Sequence, residues 1–303
     1  MSFWKNYTSH HKGQNKSITQ LSQSYKKCLK VMTWNVLARM ATKHNAEEHA
    51  YQPAGIKGTE EHIEQTMKRF EIILSDITKS DMDILFLQEV DYNLFYYLQK
   101  YISKDYNIFF NSVQDYRFKD QSETFGTAVL WKKKRFILKK TIETNSKDNK
   151  YSYKNCNAVL LYDKNTKKTF YCLSIHLSGK NMETNNLLLK DTFKKIDKKY
   201  PFIISGDFNC SFIQTDCLQN YKLLKDLDTF QFKKKDISTC SFDFNNKNKE
   251  ALIDSIFFSQ FTGITYKIGK SNCKLSLYNN KKPYSNIKLG SDHFWIQGLI
   301  KFL

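Results

Sequence analysis

The chain has 303 residues, 41% hydrophobic and 15% aromatic, which is enough apolar material to bury a sizeable core and excludes wholesale disorder. Scarce glycine (10) and proline (3) exclude collagen-like and proline-rich low-complexity architectures. A formal net charge of +18 points to an anionic partner, because a basic surface attracts phosphate and gains from counterion release.

Residues 1–28 read as a flexible basic tail. The first acidic residue is Glu47, and Met1–Lys27 holds no apolar segment of the secretory kind. The absence of Arg before Arg39 argues against a mitochondrial leader. From Leu29 the apolar pattern stays dense to Leu303, without a linker or an internal repeat. Strands are expected at Leu29–Leu37, Asp83–Gln88, Tyr106–Phe110, Phe125–Trp131, Phe136–Glu143, Ala158–Tyr162, Thr169–His176, Phe202–Ser205, Leu252–Phe258, Ile264–Ile268 and Phe294–Ile300. Helical spacing marks Glu60–Lys79, Tyr92–Ile102, Glu183–Lys199 and Thr215–Leu227. Polar loops are expected at Thr42–Thr59 and Asn111–Thr124, and Lys132–Arg135 reads as a solvated hairpin turn. Many strands with helices between them suggest two sheets packed face to face with helices outside.

No run approaches the roughly 20 apolar residues of a membrane helix. The seven cysteines are odd in number and include no C-x-x-C pair, so reduced thiols in an intracellular protein are expected, without a disulfide framework or zinc site. The expected location is cytoplasmic or nuclear, with mitochondria as the alternative, and the expected state is monomeric. The charge has a second reading. Only Arg39, Arg69, Arg117 and Arg135 among the 48 basic residues are arginine, and the chain is crowded with Asn, Ile, Phe and Tyr, as an AT-rich coding sequence produces whatever the function.

Several polar residues stand where an apolar strand gives way to a loop, a placement that holds functional groups rigidly. Asn35 follows VMTW, Glu89 follows DILFLQ, His176 follows FYCLSI, and Asp207 and Asn209 follow PFIISG. Asp254 lies inside ALIDSIFF, and Asp292–His293 precede FWIQGLI. Alone, an Asn or Asp after a strand is more often a turn or cap residue than a ligand, and a lone His at a strand end is more often structural. Asp254 needs a partner, because burying an unpaired carboxylate costs several kcal/mol. Together they suit metal-assisted hydrolysis of a phosphate ester. Glu89 is a hard oxygen ligand for Mg²⁺ (with Mn²⁺ the alternative), Asn35 and Asp292 are supporting oxygens, and two histidines handle protons. Asp207 is suited to a water nucleophile, and Asn209 to that water or a phosphoryl oxygen.

The ordered set TWN (33–35), LQEVD (87–91), GTAVLW (126–131), IHLSGK (175–180), SGDFN (205–209), LIDSIFFS (252–259) and GSDHF (290–294) resembles the endonuclease/exonuclease/phosphatase superfamily. The resemblance implies one catalytic domain over 29–303. Its implied fold is an α/β (α+β) four-layer sandwich, two packed, mostly antiparallel β-sheets flanked by helices. It implies Mg²⁺-dependent phosphoester cleavage, with Glu89 and Asn35 at the metal and His176 on the scissile phosphate. Asp207 and Asn209 then position the attacking water, Asp254 orients the final histidine, and Asp292 and His293 form the terminal metal and acid–base pair. Glu123 is a candidate partner of His176 by position.

NVLA, TMKRFEIILSDI and GTAVLWKKKRF resemble most closely the branch holding deadenylases, nocturnin and 2′-phosphodiesterases. In that branch a Phe before the IDxIF strand stacks on a base, a role open to Phe242 or Phe244, which equally suit a core. Cys210–Ser211–Phe212 after GDFN departs from the branch, which often has Ser and Pro there. Tyr116 and Arg117 interleave an aromatic and a cation, as single-stranded nucleic acid favours. Lys233–Lys235 stands before Phe242 as a candidate substrate path. The expectation is a phosphodiesterase acting on nucleic acid, a 3′ exoribonuclease of deadenylase-like type binding RNA. The alternatives are a DNA nuclease of apurinic-endonuclease type, a phosphatase of small nucleotide or inositol phosphates, and an inactive nucleic-acid-binding relative.

Overall fold

The computed structural model describes residues 27–38, 63–114, 124–145, 155–179, 181–210, 221, 223–224, 227–229, 253–268, 291, 293 and 295–303. Its elements in chain order are β1 (Cys28–Asn35), α1 (Ile63–Ser80), β2 (Ile84–Asp91), α2 (Tyr92–Ile102), β3 (Tyr106–Gln114), β4 (Thr124–Lys132), β5 (Phe136–Asn145), β6 (Asn155–Asp163) and β7 (Lys168–His176). They continue with α3 (Met182–Lys195), β8 (Phe202–Asp207), β9 (Asp228–Thr229), β10 (Asp254–Ser259), β11 (Phe261–Ile268) and β12 (Ile296–Phe302).

The strands form two six-stranded sheets, in the orders β11-β12-β1-β2-β4-β3 and β5-β6-β7-β8-β10-β9. Each is built around one parallel pair joined by a helical crossover, β1–α1–β2 in the first and β7–α3–β8 in the second. The remaining pairs are antiparallel.

Alternating side chains make three apolar layers. Leu29, Val31, Ile84, Phe86 and Val129 of the first sheet meet Val159, Leu161, Phe170, Cys172 and Ile203 of the second in the central core. Phe70, Ile73 and Ile77 of α1 and Leu94 and Leu98 of α2 cover the outer face of the first sheet. Leu188, Leu189 and Phe193 of α3 cover the outer face of the second. The result is the expected α+β sandwich, two sheets flanked by helices. Strong caps start two helices: Asp91 accepts from Leu94 N at 2.8 Å, and Asn181 accepts from Thr184 N at 3.0 Å.

The structure corrects three expectations. Of the helix expected over Thr215–Leu227 only residues 221, 223, 224 and 227 are described, and these form tight turns in place of a helix, Leu224 N bonding to Tyr221 O and Leu227 N to Leu224 O; the rest of the segment lies outside the described residues. Cys210 is disulfide-bonded, whereas Cys28, Cys156 and Cys172 are free and buried. Arg135 is not solvated: only Lys133 and Lys134 of that turn are exposed. The turn carries the chain from one sheet to the other, and Arg135 ties them together beneath it. Its Nε and Nη2 donate to Asp163 at 3.0 and 2.8 Å, while Nη1 donates to Asp83 Oδ2 at 2.8 Å and to Cys28 O at 2.9 Å. Burial pushes the Asp83 carboxyl up against the opposing pull of Arg135.

This clamp predicts a stability effect. Arg135→Leu removes the guanidinium that pairs both buried carboxylates, leaving Asp83 with Lys30 N and the more distant Lys132 and leaving Asp163 with Asn165 N and Thr166 Oγ1, and should lower the unfolding free energy by about 3–5 kcal/mol in urea titration. Replacing Asp83 and Asp163 by Leu in the same chain should recover part of that loss. An Arg135→Leu midpoint equal to wild type would refute the clamp.

Candidate active site

Both parallel pairs end at the same edge of the sandwich. Asn35 closes β1 and pairs with Gln88, and His176 closes β7 and pairs with Asp207. The carboxyl ends of parallel strands are a general location for ligand sites.

Two local features aim the side chains. By strict alternation Glu89 would follow Leu85 and Leu87 toward the helices. The pairing of β2 with β4 shifts between Leu87 and Val90, and Glu89 takes φ 55°. This bulge turns its carboxylate to the inter-sheet side. In β8, a Cβ on Gly206 would collide with the Ile175 carbonyl, so only glycine lets β8 run this close to β7 just before Asp207. At this edge Leu37 and Asn209 also adopt left-handed φ values, 57° and 51°.

Asn35 Nδ2 donates to Glu89 Oε1 and to Asp207 Oδ2, each at 3.0 Å, while its Oδ1 accepts from Leu37 N. His176 Nε2 stands 3.7 Å from both Glu89 Oε1 and Asp207 Oδ2. His293 Nδ1 lies 2.8 Å from Asp254 Oδ2, and its Nε2 lies 3.9 Å from Asp207 Oδ2. An ionised Asp254 accepts from Nδ1–H, which fixes the tautomer and turns Nε2 toward Asp207. Asp207 Oδ1 accepts from Asn209 N at 2.7 Å, and Asn209 Nδ2 donates to Leu177 O at 2.9 Å.

Asn35, Glu89, His176, Asp207, Asn209, Asp254 and His293 thus come together, from both sheets. Asp292, Tyr116, Arg117, Phe242, Phe244, Glu123 and Lys233–Lys235 lie outside the described residues. Two groups have ligand atoms within 4.8 Å of one another, Glu89 with His176 and Asp207, and Asp207 with Asp254 and His293. The first draws two carboxylates onto one amide nitrogen beside an imidazole. Such converging, largely buried carboxylates suit a divalent cation, whose charge offsets their repulsion and desolvation.

Several supporting residues gave no motif. Arg69, buried on α1, donates from Nη1 to Val36 O and Leu37 O at 2.8 Å and holds the chain beyond Asn35. Ser291 Oγ donates to Asn35 O at 2.6 Å and accepts from His293 N, and Trp34 Nε1 donates to His293 O. These bonds fasten the His293 segment to the end of β1. Asn185 of α3 accepts from Ser178 N, donates to Ser178 O, and reaches the Tyr221 hydroxyl at 3.1 Å. That hydroxyl donates to Phe208 O, and burial pushes its pKa up, so it stays protonated. Asn185 and Tyr221 thereby tie the loop after His176 to the loop after Asp207. A sequence signal existed for Asn185: it sits on the buried face of α3 beside Leu188 and Leu189.

The sequence profile described as the Endonuclease/Exonuclease/phosphatase family matches residues 32–293. The chain belongs to that family. Its two clusters of chelating side chains are those of a metal-dependent phosphoester hydrolase. No curated protein matches the chain. Among solved structures, the human Nocturnin catalytic domain with bound sulfate is similar at 19% identity and a TM-score of 0.62, covering 91% of this chain and 94% of that one. ANGEL2, a 2′,3′-cyclic phosphatase in complex with adenosine-2′,3′-vanadate, is similar at 15% identity and 0.67, covering 91% and 96%. D. rerio TDP2 complexed with single strand DNA product is similar at 14% identity and 0.61, covering 90% and 99%. These likenesses are of fold. Among the described residues no helix is long and apolar enough to cross a membrane.

The Asp254–His293 contact is testable by a double-mutant cycle. Asp254→Asn should lower turnover of a phosphodiester substrate by about 10²-fold or more, by analogy with other oriented histidines. His293→Ala should be at least as damaging, and the double variant little worse than His293→Ala. Fully additive losses would show that the two act independently.

Proposed function

We propose that this chain is a Mg²⁺-dependent phosphodiesterase that hydrolyses nucleic acid, and that the 3′ end of single-stranded RNA is its preferred substrate. The observation that carries the reading is Asp207, set between the Nε2 atoms of two histidines at 3.7 and 3.9 Å and bonded to the same amide as Glu89. A group so placed can orient or deprotonate a water aimed at a phosphorus held by its neighbours.

Glu89 is the principal protein ligand in this reading, with Asp292 as a second oxygen donor. A bound Mg²⁺ supplies Lewis-acid polarisation of the phosphoryl oxygen and eases ionisation of water. Asn35 keeps the Glu89 and Asp207 carboxylates in place through its two N–H groups. His176 Nε2 faces both carboxylates and is positioned to contact a phosphoryl oxygen. His293, oriented by Asp254, carries a proton to or from the reacting oxygens. Asn209 fixes Asp207 through its backbone N–H and stands beside the water it serves.

Nucleic acid as substrate draws support from the +18 charge and from fold relatives whose structures hold a DNA strand or an adenosine derivative. The preference for RNA rests on the sequence resemblance to the deadenylase, nocturnin and 2′-phosphodiesterase branch. Single-stranded RNA, abasic duplex DNA and small nucleotide, sugar and inositol phosphates should be assayed side by side with Mg²⁺ and Mn²⁺. RNA shortened from its 3′ end is the expected product pattern. Turnover confined to abasic DNA or to small phosphates would overturn the assignment.

The metal reading has its own test. Glu89→Gln should lower turnover at least about 10²-fold while the melting temperature stays near that of wild type, and excess chelator should silence the wild-type chain. Undiminished turnover under either condition would remove the metal from the mechanism.

A further inference from the structure

Helix α2 begins immediately after the strand that carries Glu89, so only Val90 and Asp91 lie between Glu89 and Tyr92, a span of three Cα–Cα steps. Their Cα atoms therefore lie within about 11 Å of each other. Tyr92 and Tyr96 follow one helical turn apart, and both are open to solvent, at 43% and 60%. Their rings lie 6.2 Å apart at an interplanar angle of 25°. Long side chains on a helix lean toward its N-terminus, which here is the active-site end. The pair therefore forms an aromatic strip on the outer flank of the first sheet, directed toward the rim of the site.

The strip is held from behind. Tyr92 packs edge-on against Phe110 of β3 at 5.4 Å, and Phe110 stacks on Phe95 at 4.9 Å. Ser112 Oγ donates to the Tyr92 hydroxyl at 3.0 Å and fixes its ring from the neighbouring strand. A solvent-exposed ring fixed in this way loses little freedom when another flat ring stacks on it. The helix needs none of this exposure for its own packing, because Leu94, Leu98 and Ile102 supply its buried face.

We propose that Tyr92 and Tyr96 are a base-stacking platform for single-stranded nucleic acid, taking unpaired nucleotides next to the scissile phosphate. The inference rests on the phosphodiesterase reading above and adds to it where the strand runs. Nucleobases are the occupant that fits best. The strip adjoins a site built for phosphate, the chain's charge of +18 complements a polyanion, and stacking on exposed aromatics is how strands are held without regard to sequence.

The test measures affinity of the full-length chain for a single-stranded hexanucleotide carrying 2-aminopurine, with base fluorescence as the readout, and compares kcat/KM on dinucleotide and hexanucleotide. Stacking should quench the fluorescence in wild type. Tyr96→Ala puts the best helix former at an exposed position, so the fold should persist. It should weaken hexanucleotide binding at least about fivefold, relieve the quench and shrink the rate advantage of the longer substrate. Tyr96→Phe, which keeps the ring, should retain wild-type affinity and quench. Hexanucleotide cleaved by wild type and bound equally well by Tyr96→Ala would overturn the platform alone. A changed oligomeric state in Tyr96→Ala with unchanged oligonucleotide affinity would overturn it in favour of self-association. Failure of wild type to bind or cleave any oligonucleotide would sink the phosphodiesterase reading and this inference with it.

Discussion

The site depends on one amide shared by two carboxylates from opposite sheets. Glu89 belongs to β2 and Asp207 to β8, and Asn35 Nδ2 donates to both at 3.0 Å. Like charges this close repel, and burial strips them of water. They stay together because the amide offers two N–H groups and because a cation between them is electrostatically favoured. The contact holds only while β1 and β8 end level with each other. The bulge at Glu89, the close approach permitted by Gly206, and the backbone contacts of Arg69, Ser291 and Asn185 all act to keep these strand ends where the amide can reach.

The two sheets solve the same topological problem twice. Each places a parallel pair at its centre, β1 with β2 and β7 with β8, and each flanks that pair with antiparallel neighbours. Between them the filling changes along the strands. Leu29, Phe86, Phe170 and Ile203 make a dry centre. Toward the site, Gln88 Nε2 donates to Ser174 Oγ, Ser174 Oγ donates to Leu87 O, and Asn157 Nδ2 donates to Thr127 O, all between the sheets. This hydrogen-bonded layer lets the core grade from apolar to ionised without leaving a carboxylate directly against hydrocarbon. At the far end Arg135 ties Asp83 to Asp163. The sandwich is thus joined by polar contacts at both ends and by apolar contact in its middle.

Much of this was legible because apolar runs ending in a lone polar residue are conspicuous. Asn35, His176 and Asp207 were visible for that reason, Asp254 was visible as a carboxylate inside an apolar run, and alternation along the strands gave the layer order. What period-two patterning cannot carry is a departure from the period. Glu89 was marked by residue type, yet its direction depends on a bulge that leaves no trace in ILFLQEV. Arg135 sat in a run of lysines and looked solvated, because sequence does not show that a turn crosses from one sheet to the other. The topological duplication was invisible for a similar reason. It resides in strand order and pairing, which many unrelated side chains satisfy.

The arginines show what the charge does and does not say. Both of the described ones are buried, and each makes several bonds at once: Arg69 to two carbonyls, Arg135 to two carboxylates and a carbonyl. A lysine ammonium has neither the span nor the planar fork for these arrangements. At positions such as Lys133 and Lys134, which are exposed, only a positive charge and solubility are at stake, and lysine suffices. A compositional drift toward lysine would therefore spare these two arginines and change the surface. Among the described residues no lysine is buried, so the positive charge there is chiefly a property of the surface. It can raise the local concentration of any polyanion, but it does not choose the bond to be cut. In the proposed function that choice falls to Asn35, Glu89, His176, Asp207, Asp254 and His293, whose geometry depends on the joined ends of two sheets and not on the sum of the charges.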